Sequence, residues 1–367
     1  MPGLDKLLWK HLKRIVKNKK CLENIIAIAN TYIEIGYWPN HFKKSTTIII
    51  PKPNKIFYDL PKFFRLIVLL NTLEKLIKKV IGDRLQFHVV SNNFIHLSQL
   101  KFKSTTDVSI ALMHFICIGW IKNMMTSSLA FDIAQFFPSL NHCLLTLILF
   151  KMGFDSRVVN FFLNYLVNRR TNYFWNNFSS SSLDINVGVG QGSALSPILF
   201  AIYLSLFLHI LENCLKNLDL KISILYFIDD GLLLTQSKSF QVSNAYLFSS
   251  YNVTFNLLSK FGLLVKHSKT EIFHFSRAHG VFNSSPFNLS SLCGLMLYPK
   301  DIWKYLGFIF NRKLLFCQHI NFYANKALST VKCMKILGNS TRGLIPHQKW
   351  LLYRSCTFPI ALYGFQI

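Results

Sequence analysis

Apolar residues recur at three- and four-residue steps from 5 to 17, from 21 to 36 and from 71 to 90, the last with lysines on its outer face. Each stretch is predicted to be an amphipathic helix. Between them STTIII (45 to 50) is a run of β-branched residues and reads as a strand. The middle of the chain then switches back and forth between the two periods. SLAFDIA (128 to 134) reads as a strand, LLTLILFKMG as a helix, TNYFW and LDINVGV as a hairpin, 194 to 216 as a long helix, and 221 to 235 as paired strands. That order predicts an α+β fold, a sheet backed by helices. From about 318 to 360 the pattern is helical and basic, with NKALSTVKCMKIL placing apolar residues at helical steps. SSSS (179 to 182) is a short turn, and neither a repeat nor a Gly/Ser linker interrupts the chain.

Composition supplies the material for such a fold. A chain of 367 residues, 51% of them hydrophobic, fills two or three subdomains around a large core. GSALSPILFAIYLSLFLHIL (192 to 211) is uncharged over 20 residues and long enough to span a bilayer. It opens on Gly, Ser and Pro and carries Tyr and His within, so a buried helix and no membrane are expected. Charge changes the picture more. Lys and Arg total 41 against 16 Asp and Glu, giving +25, which points to a polyanionic partner such as nucleic acid or anionic lipid. Most of these cations are lysines, suited to phosphate backbones more than to base edges. The eight cysteines show no CxxC or Cys/His zinc spacing, and MPGLDKLLWKHLK lacks the order of a secretory signal, so a reduced, intracellular setting is expected.

The chemistry is concentrated in YFIDDGLLL (226 to 234), where two adjacent carboxylates sit in an apolar, aromatic run. An ionised carboxylate taken out of water needs a cation, dense hydrogen bonding or an exposed turn. One reading is a bare hairpin tip, since Asp-Asp-Gly between strand-like runs resembles the Asp-Gly turns that close β-hairpins. The other requires a further acid in a similar setting, and Asp132 in SLAFDIAQFFPSL is one, flanked by Phe131 and Ile133. Two strands that each offer an Asp toward one spot can hold two divalent metals, which bridge a nucleotide's phosphates and activate an attacking hydroxyl. Between these acids lies GVGQGSALSPILF (188 to 200), a Gly-rich turn entering a helix whose backbone can approach a substrate closely.

Taken in order, FDIAQFF, GVGQGSALSPILF, YFIDDG, GLLVKHSKTE and YLGF resemble the reverse transcriptase palm of non-LTR (LINE-like) retrotransposons. WPNHFKKSTTIIIPKPNK and FFRLIVLLNTLEKLIKKVIGDRL resemble the fingers of that family, MPGLDKLLW the start of its polymerase domain, and HINFYANKALSTVKCMKIL with LYGF its thumb. The resemblance covers essentially the whole chain. It implies a right-hand polymerase fold with fingers over 1–125, a palm over 126–310 with a fingers-type insertion around 141–190, and a helical, thumb-like region over 311–367.

The resemblance also implies roles. Asp132 and Asp229 are the expected ligands of two Mg²⁺ ions, replaceable by Mn²⁺, with Asp230 beside them and the Ile133 carbonyl as a backbone ligand. Lys52 in PKPNK and Arg65 in FFRLIV match positions that contact the incoming triphosphate, and Phe137 matches an aromatic gate that excludes a 2′-hydroxyl; core packing would look the same for Phe137. Gln191 and Gly192 fall where the family lines nucleotide and template, and Lys269 resembles a lysine that protonates departing pyrophosphate. Tyr305, Leu306 and Gly307 fall at the primer grip, where a strand-turn packing role is the alternative.

Four positions depart from the pattern: Gly190 where Arg or Pro is common, Leu66 where Pro is usual, Ile228 where a small residue or Val is usual, and Lys266 in place of a common Asn. None is a metal ligand, although a branched residue at 228 could crowd a primer end. The implied activity is RNA-directed DNA polymerisation on an RNA template with a DNA primer and dNTPs. Two other readings stay open: a degenerate retroelement copy that binds nucleic acid without polymerising, and a group II intron maturase-like protein. The sequence shows no endonuclease-like segment, Cys/His knuckle or RNase H-like acidic cluster. It is therefore expected to be an excised piece, with endonuclease activity coming from elsewhere and a nuclear location if the element is active.

Overall fold

The computed structural model describes residues 5–53, 56–100, 103–277, 287–288, 296–336 and 343–367. Met1 to Leu4 of MPGLDKLLW, Asn54 and Lys55 of PKPNK, Cys293, and 337–342 of the predicted C-terminal helical region lie outside the described residues. The chain begins with helices α1 (Trp9–Ile15) and α2 (Lys19–Glu34), strands β1 (Lys44–Pro51) and β2 (Phe64–Leu69), and helices α3 (Thr72–Ser91) and α4 (Thr105–Ile121). Strand β3 (Met125–Ala134) leads to α5 (His142–Lys151) and α6 (Ser156–Leu166), then β4 (Arg169–Trp175), β5 (Phe178–Ser179), β6 (Leu183–Ile185) and the long α7 (Ser196–Asn217). Next come β7 (Ile222–Phe227), β8 (Asp230–Ser237), α8 (Phe240–Lys260), β9 (Leu264–Val265) and β10 (Glu271–Phe275). Short strands β11 (Phe287–Asn288) and β12 (Met296–Leu297) and the hairpin of β13 (Ile302–Tyr305) and β14 (Phe308–Asn311) precede α9 (Cys317–Ile336), α10 (Pro346–Leu352) and α11 (Phe358–Ala361).

Two compact units result, one built from Met1–Gln99, Ile133–Cys214 and Val253–Val265, the other from Leu100–Asp132, Leu215–Asn252 and Lys266–Ile367. In the first, a sheet of order β2-β1-β4-β5 pairs β1 antiparallel with β2 and parallel with β4, with β6 also on β4. Period-2 alternation sorts its faces. Ser45, Thr47 and Thr171 are buried on one side, where the Thr47 and Thr171 hydroxyls meet at 2.8 Å, while Lys44, Ile50 and Arg170 are exposed on the other. The apolar run 192 to 211 becomes most of α7, whose Leu199, Ile202, Phe207, Leu208 and Leu211 are all fully buried within the protein. Among the described residues α7 is the one helix long and apolar enough to cross a membrane, and burial of its surface inside the unit accounts for that composition.

Residues 5–8, expected to be helical, are not. Asp5 instead accepts from the Thr72 N–H at 2.9 Å and donates its own N–H to Asn71 Oδ1, so this segment caps the start of α3. Glu74, one turn in, accepts from the Asn71 N–H and pairs with Lys78 at 2.5 Å, both side chains being fully buried. The Lys78 ammonium also stands 4.8 Å from the Tyr165 ring centre and 5.4 Å from that of Trp38, so a buried charge is met by one carboxylate and two aromatic faces.

In the second unit the sheet order is β10-β3-β8-β7, antiparallel throughout. Val108, Leu112 and Ile116, four residues apart on α4, pack with Leu232 and Leu234 of β8, Phe273 and Phe275 of β10, and Trp303, Tyr305, Phe308 and Phe310 of the last hairpin. Leu306 and Gly307 form that hairpin's two-residue turn, both with positive φ (48° and 89°). Tyr363 and Tyr323 donate their hydroxyls to the carbonyls of Leu306 and Gly307, each at 2.8 Å.

The Glu74–Lys78 pair yields a stability test. Glu74→Ala leaves an ammonium buried without its counter-ion and is expected to reduce unfolding free energy by about 3–5 kcal/mol. The double variant E74A/K78M removes the stranded charge, so urea unfolding should show it recovering most of the loss; equal destabilisation of both variants would place the cost in packing instead.

Candidate active site

The two acids of YFIDDG lie at the tip of the β7–β8 hairpin, where Phe227 pairs with Asp230, so the connecting residues are Ile228 and Asp229. Ile228 has φ +57°, a region where a β-branched side chain is strained. The turn is thus two residues earlier than an Asp230-Gly231 turn would be. Gly231 is already in β8, opposite Tyr226 on one side and Phe131 on the other. A Cβ there would stand 2.4 Å from Phe131 Cζ and 2.8 Å from Tyr226 Cζ, so the glycine is required by space. Both aromatic rings are buried, and each meets the other edge-on.

Asp132 is directly opposite Asp230 in the β3–β8 ladder, which puts both side chains on one face of the sheet. Asp132 is buried at 6% exposure, and Asp229 and Asp230 are half-buried. Burial, followed by the charges of Asp229 and Asp132, pushes the Asp230 carboxyl up to about 6, and burial likewise raises that of Asp229. Asp132 differs in having cations against it. Lys269 Nζ is 2.6 Å and Lys266 Nζ 3.2 Å from its Oδ2. The hydrogen bond that Lys269 donates to Asp132 raises the Lys269 pKa above the usual lysine value.

Local backbone geometry explains this pairing of lysines. Lys266 is the residue before a 3₁₀ turn (His267–Lys269), and residues three apart in such a turn eclipse, so both ammonium groups are presented on one side. The Lys266 N–H is held by the Asp132 carbonyl at 2.8 Å, and Tyr251 Oη bonds His267 Nδ1 at 3.0 Å. The sequence reading found Lys269 and treated Lys266 only as a departure; the Lys-x-x-Lys spacing in VKHSKTE was the available signal.

The site chemistry is that of three carboxylate groups with hard oxygen donors, the set that Mg²⁺ or Mn²⁺ prefers over softer metals. The raised pKa values of Asp229 and Asp230, due first to burial and then to neighbouring carboxylates, mark a crowding of negative charge that a cation would relieve. The donors therefore fit. Among the described residues no group of three His, Cys, Asp or Glu side chains is arranged as a preformed metal cage, and the Asp132 Oδ2 is turned to the two lysines.

The remaining candidates sort by unit. In the second, Tyr305 is buried beneath Trp303, 4.8 Å between ring centres, and burial together with the Asp230 charge raises its phenol pKa. In the first, the Lys52 N–H extends the β1–β2 ladder to the Phe63 carbonyl, which sets Lys52 and Arg65 as diagonal neighbours on one face. Arg65 is exposed and Lys52 half-exposed. The GVGQGS turn lies against β2: Gln191 O accepts from the Val68 N–H at 3.1 Å, and a Cβ at Gly190 would meet Val68 Cγ2 at 3.2 Å. Gly192 has φ +112°, which favours glycine. Phe137 is half-buried, 5.2 Å from Phe136, with its carbonyl accepting from the Val189 N–H. His142 and the buried Arg169 both bond the Gly188 carbonyl, at 2.7 and 3.1 Å, and so position the turn; neither was singled out from sequence.

Two outcomes follow from this geometry. The folded state binds the Asp230 proton more tightly than the unfolded chain, so the associated stability is complete below pH 3.8 and lost as pH rises through about 6. In denaturant titrations without divalent ions, Asp230→Asn should match wild type near about pH 4 and exceed it by about 1–3 kcal/mol near pH 8; a constant difference across that range would contradict the assignment. Gly231→Ala should lower stability by about 1–3 kcal/mol through overpacking against the two rings, read as a fall in Tm, whereas an unchanged Tm would show the site has room.

The family model described as reverse transcriptase (RNA-dependent DNA polymerase) matches residues 50–310. The chain is 24% identical over its full length to a probable RNA-directed DNA polymerase from transposon BS of Drosophila melanogaster, and 25% identical to the RNA-directed DNA polymerase from mobile element jockey of the same fly. It spans about two fifths of those relatives, 40% and 39% of their lengths. In three dimensions it is similar to apo telomerase from Candida tropicalis truncated from its C-terminal domain, with a TM-score of 0.51 and 15% identity over 75% of this chain and 54% of that one. That likeness bears out the α+β, right-hand polymerase fold. With the family model matched across most of its length, the chain belongs to the reverse transcriptase family, in its LINE-like, non-LTR retrotransposon branch.

Proposed function

We propose that this chain is an RNA-directed DNA polymerase that extends a DNA primer with dNTPs on an RNA template. The observation that carries the reading is the ladder position that sets Asp132 opposite Asp230 beside the Ile228-Asp229 turn, three carboxylates within a family of nucleotidyltransferases. Asp132 and Asp229, with the Ile133 carbonyl, would hold two Mg²⁺ ions or Mn²⁺ in their place, and Asp230 would complete the negative charge around them. Bound there, the ions would supply charge stabilisation at phosphorus and lower the pKa of the primer 3′-hydroxyl.

The chain's own residues do the rest. The 3′-hydroxyl gives up its proton to water, its oxygen forms a bond to the α-phosphorus as the bond to pyrophosphate breaks, and Lys269 gives the leaving group a proton. Lys52 and Arg65, neighbours on one exposed strand pair, bind the triphosphate as charge-assisted donors. Phe137 lies beneath the sugar, Gln191 and Gly192 line nucleotide and template, and Tyr305, Leu306 and Gly307 set the primer end. In this reading 1–125 serve as fingers, 126–310 as palm with the 141–190 insertion, and 311–367 as thumb. An excess of 25 positive charges suits the phosphate backbones of template and primer, and the element's work would place it in the nucleus. Endonuclease activity would come from another segment or protein.

A second reading, a copy that binds nucleic acid without polymerising, is favoured by one observation: the branched Ile228 held at φ +57° between the strands that carry the acids. Primer extension on poly(rA)/oligo(dT) with Mg²⁺ or Mn²⁺ separates the two. Polymerisation that falls by about a thousandfold or more in both Asp132→Ala and Asp229→Ala is the expected result. Tight, salt-dependent binding of the hybrid with no extension by wild type would establish the second reading.

A further inference from the structure

Resting on the proposed metal role of Asp132, we infer that Lys266 is an internal counter-ion that competes with the divalent ion for Asp132 and so sets the metal affinity of the free enzyme. Two ammonium groups meet one carboxylate oxygen, Oδ2, at 2.6 and 3.2 Å, and a metal can take that oxygen only if both withdraw. The two differ in how readily they leave. The Lys269 side chain is 61% exposed and can swing into solvent, whereas Lys266 is 37% exposed and its backbone N–H is tied to the Asp132 carbonyl. Lys266 is thus the less exposed of the two ammonium groups and its backbone is fixed beside the acid, so its charge opposes a second cation there.

The arrangement also supplies an exit for the ammonium group. A polyphosphate bound beside Asp132 offers an alternative anionic partner, so substrate would draw the lysine off the carboxylate and favour the metal at the same moment. In the free enzyme Asp132 remains neutralised without an ion, and Asp229 and Asp230, which lack a lysine at bonding distance among the described residues, retain their raised pKa values. Lys266 is here a positioning residue: it acts through Asp132.

The test is Mn²⁺ binding to the full 367-residue chain, followed by the loss of the free-ion electron paramagnetic resonance signal, for wild type, Lys266→Gln, Asp132→Asn and Lys238→Gln. Lys238 is an exposed lysine of the same unit and controls for the loss of one positive charge. The expected result is binding about tenfold tighter in K266Q, about unchanged in K238Q, and lost at the tightest site in D132N. Adding a non-reactive triphosphate should narrow the gap between wild type and K266Q. If D132N loses the site while K266Q binds no tighter than K238Q, the competition is refuted and the metal reading stands. If D132N binds as wild type does, both fall together.

Discussion

Negative charge is expensive to hold against an apolar sheet, and the second unit is organised around three carboxylate groups kept at the open end of one. Asp132 sits at the last rung of β3 in that unit and Asp230 at the first rung of β8, with Asp229 in the turn. Behind them the rungs are filled by Leu232, Leu233 and Leu234 and by the rings of Phe131 and Tyr226, all buried, which fix the strands and leave the acids no freedom to separate. The charge problem meets two responses side by side: ammonium groups stand against Asp132, while burial and neighbouring carboxylates raise the pKa of Asp229 and Asp230. Both are responses to the same crowding of negative charge.

The supports for this end of the sheet are themselves held by polar contacts at a distance from it. Tyr251 anchors the lysine turn through His267, while its ring meets Phe131 edge-on, so one residue steadies both the acid's strand and its counter-ions. In the first unit the Gly188 carbonyl takes bonds from His142 and Arg169, and β2 receives the next part of the same turn through Val68. Glycine-rich loops are often described as loose; this one is fixed at two successive points.

Much of this was legible in the sequence, because strong signals coincide there. The β7–β8 pair, α7, β1, β3 and α3 all appear where the apolar period places them. Two helices absent from the predicted elements show why others did not. In α4 apolar residues run almost all the way round, so no polar face announces a helix, and the Ser104–Asp107 capping box was the remaining clue. In α8 the composition is Ser-, Asn- and aromatic-rich, and helix formation rests on burial of Phe240, Leu247 and Tyr251 with Ser243 and Ser250 tucked between them. The site was readable as to its acids, since carboxylates in apolar strands are unusual. Lys266 was harder to read, because lysines abound in this chain and its three-residue spacing from Lys269 was the single sign that both could meet one acid.

Gly231 carries a consequence for how this motif can vary. Its missing side chain, the ring of Phe131 and the ring of Tyr226 occupy one shared volume next to the acids. A side chain can appear at 231 only where a neighbouring ring has shrunk, so the three positions amount to a single spatial unit distributed over three strands. Reading the glycine as a letter of a catalytic motif misses this, for what it transmits is the size of the aromatic residues opposite it.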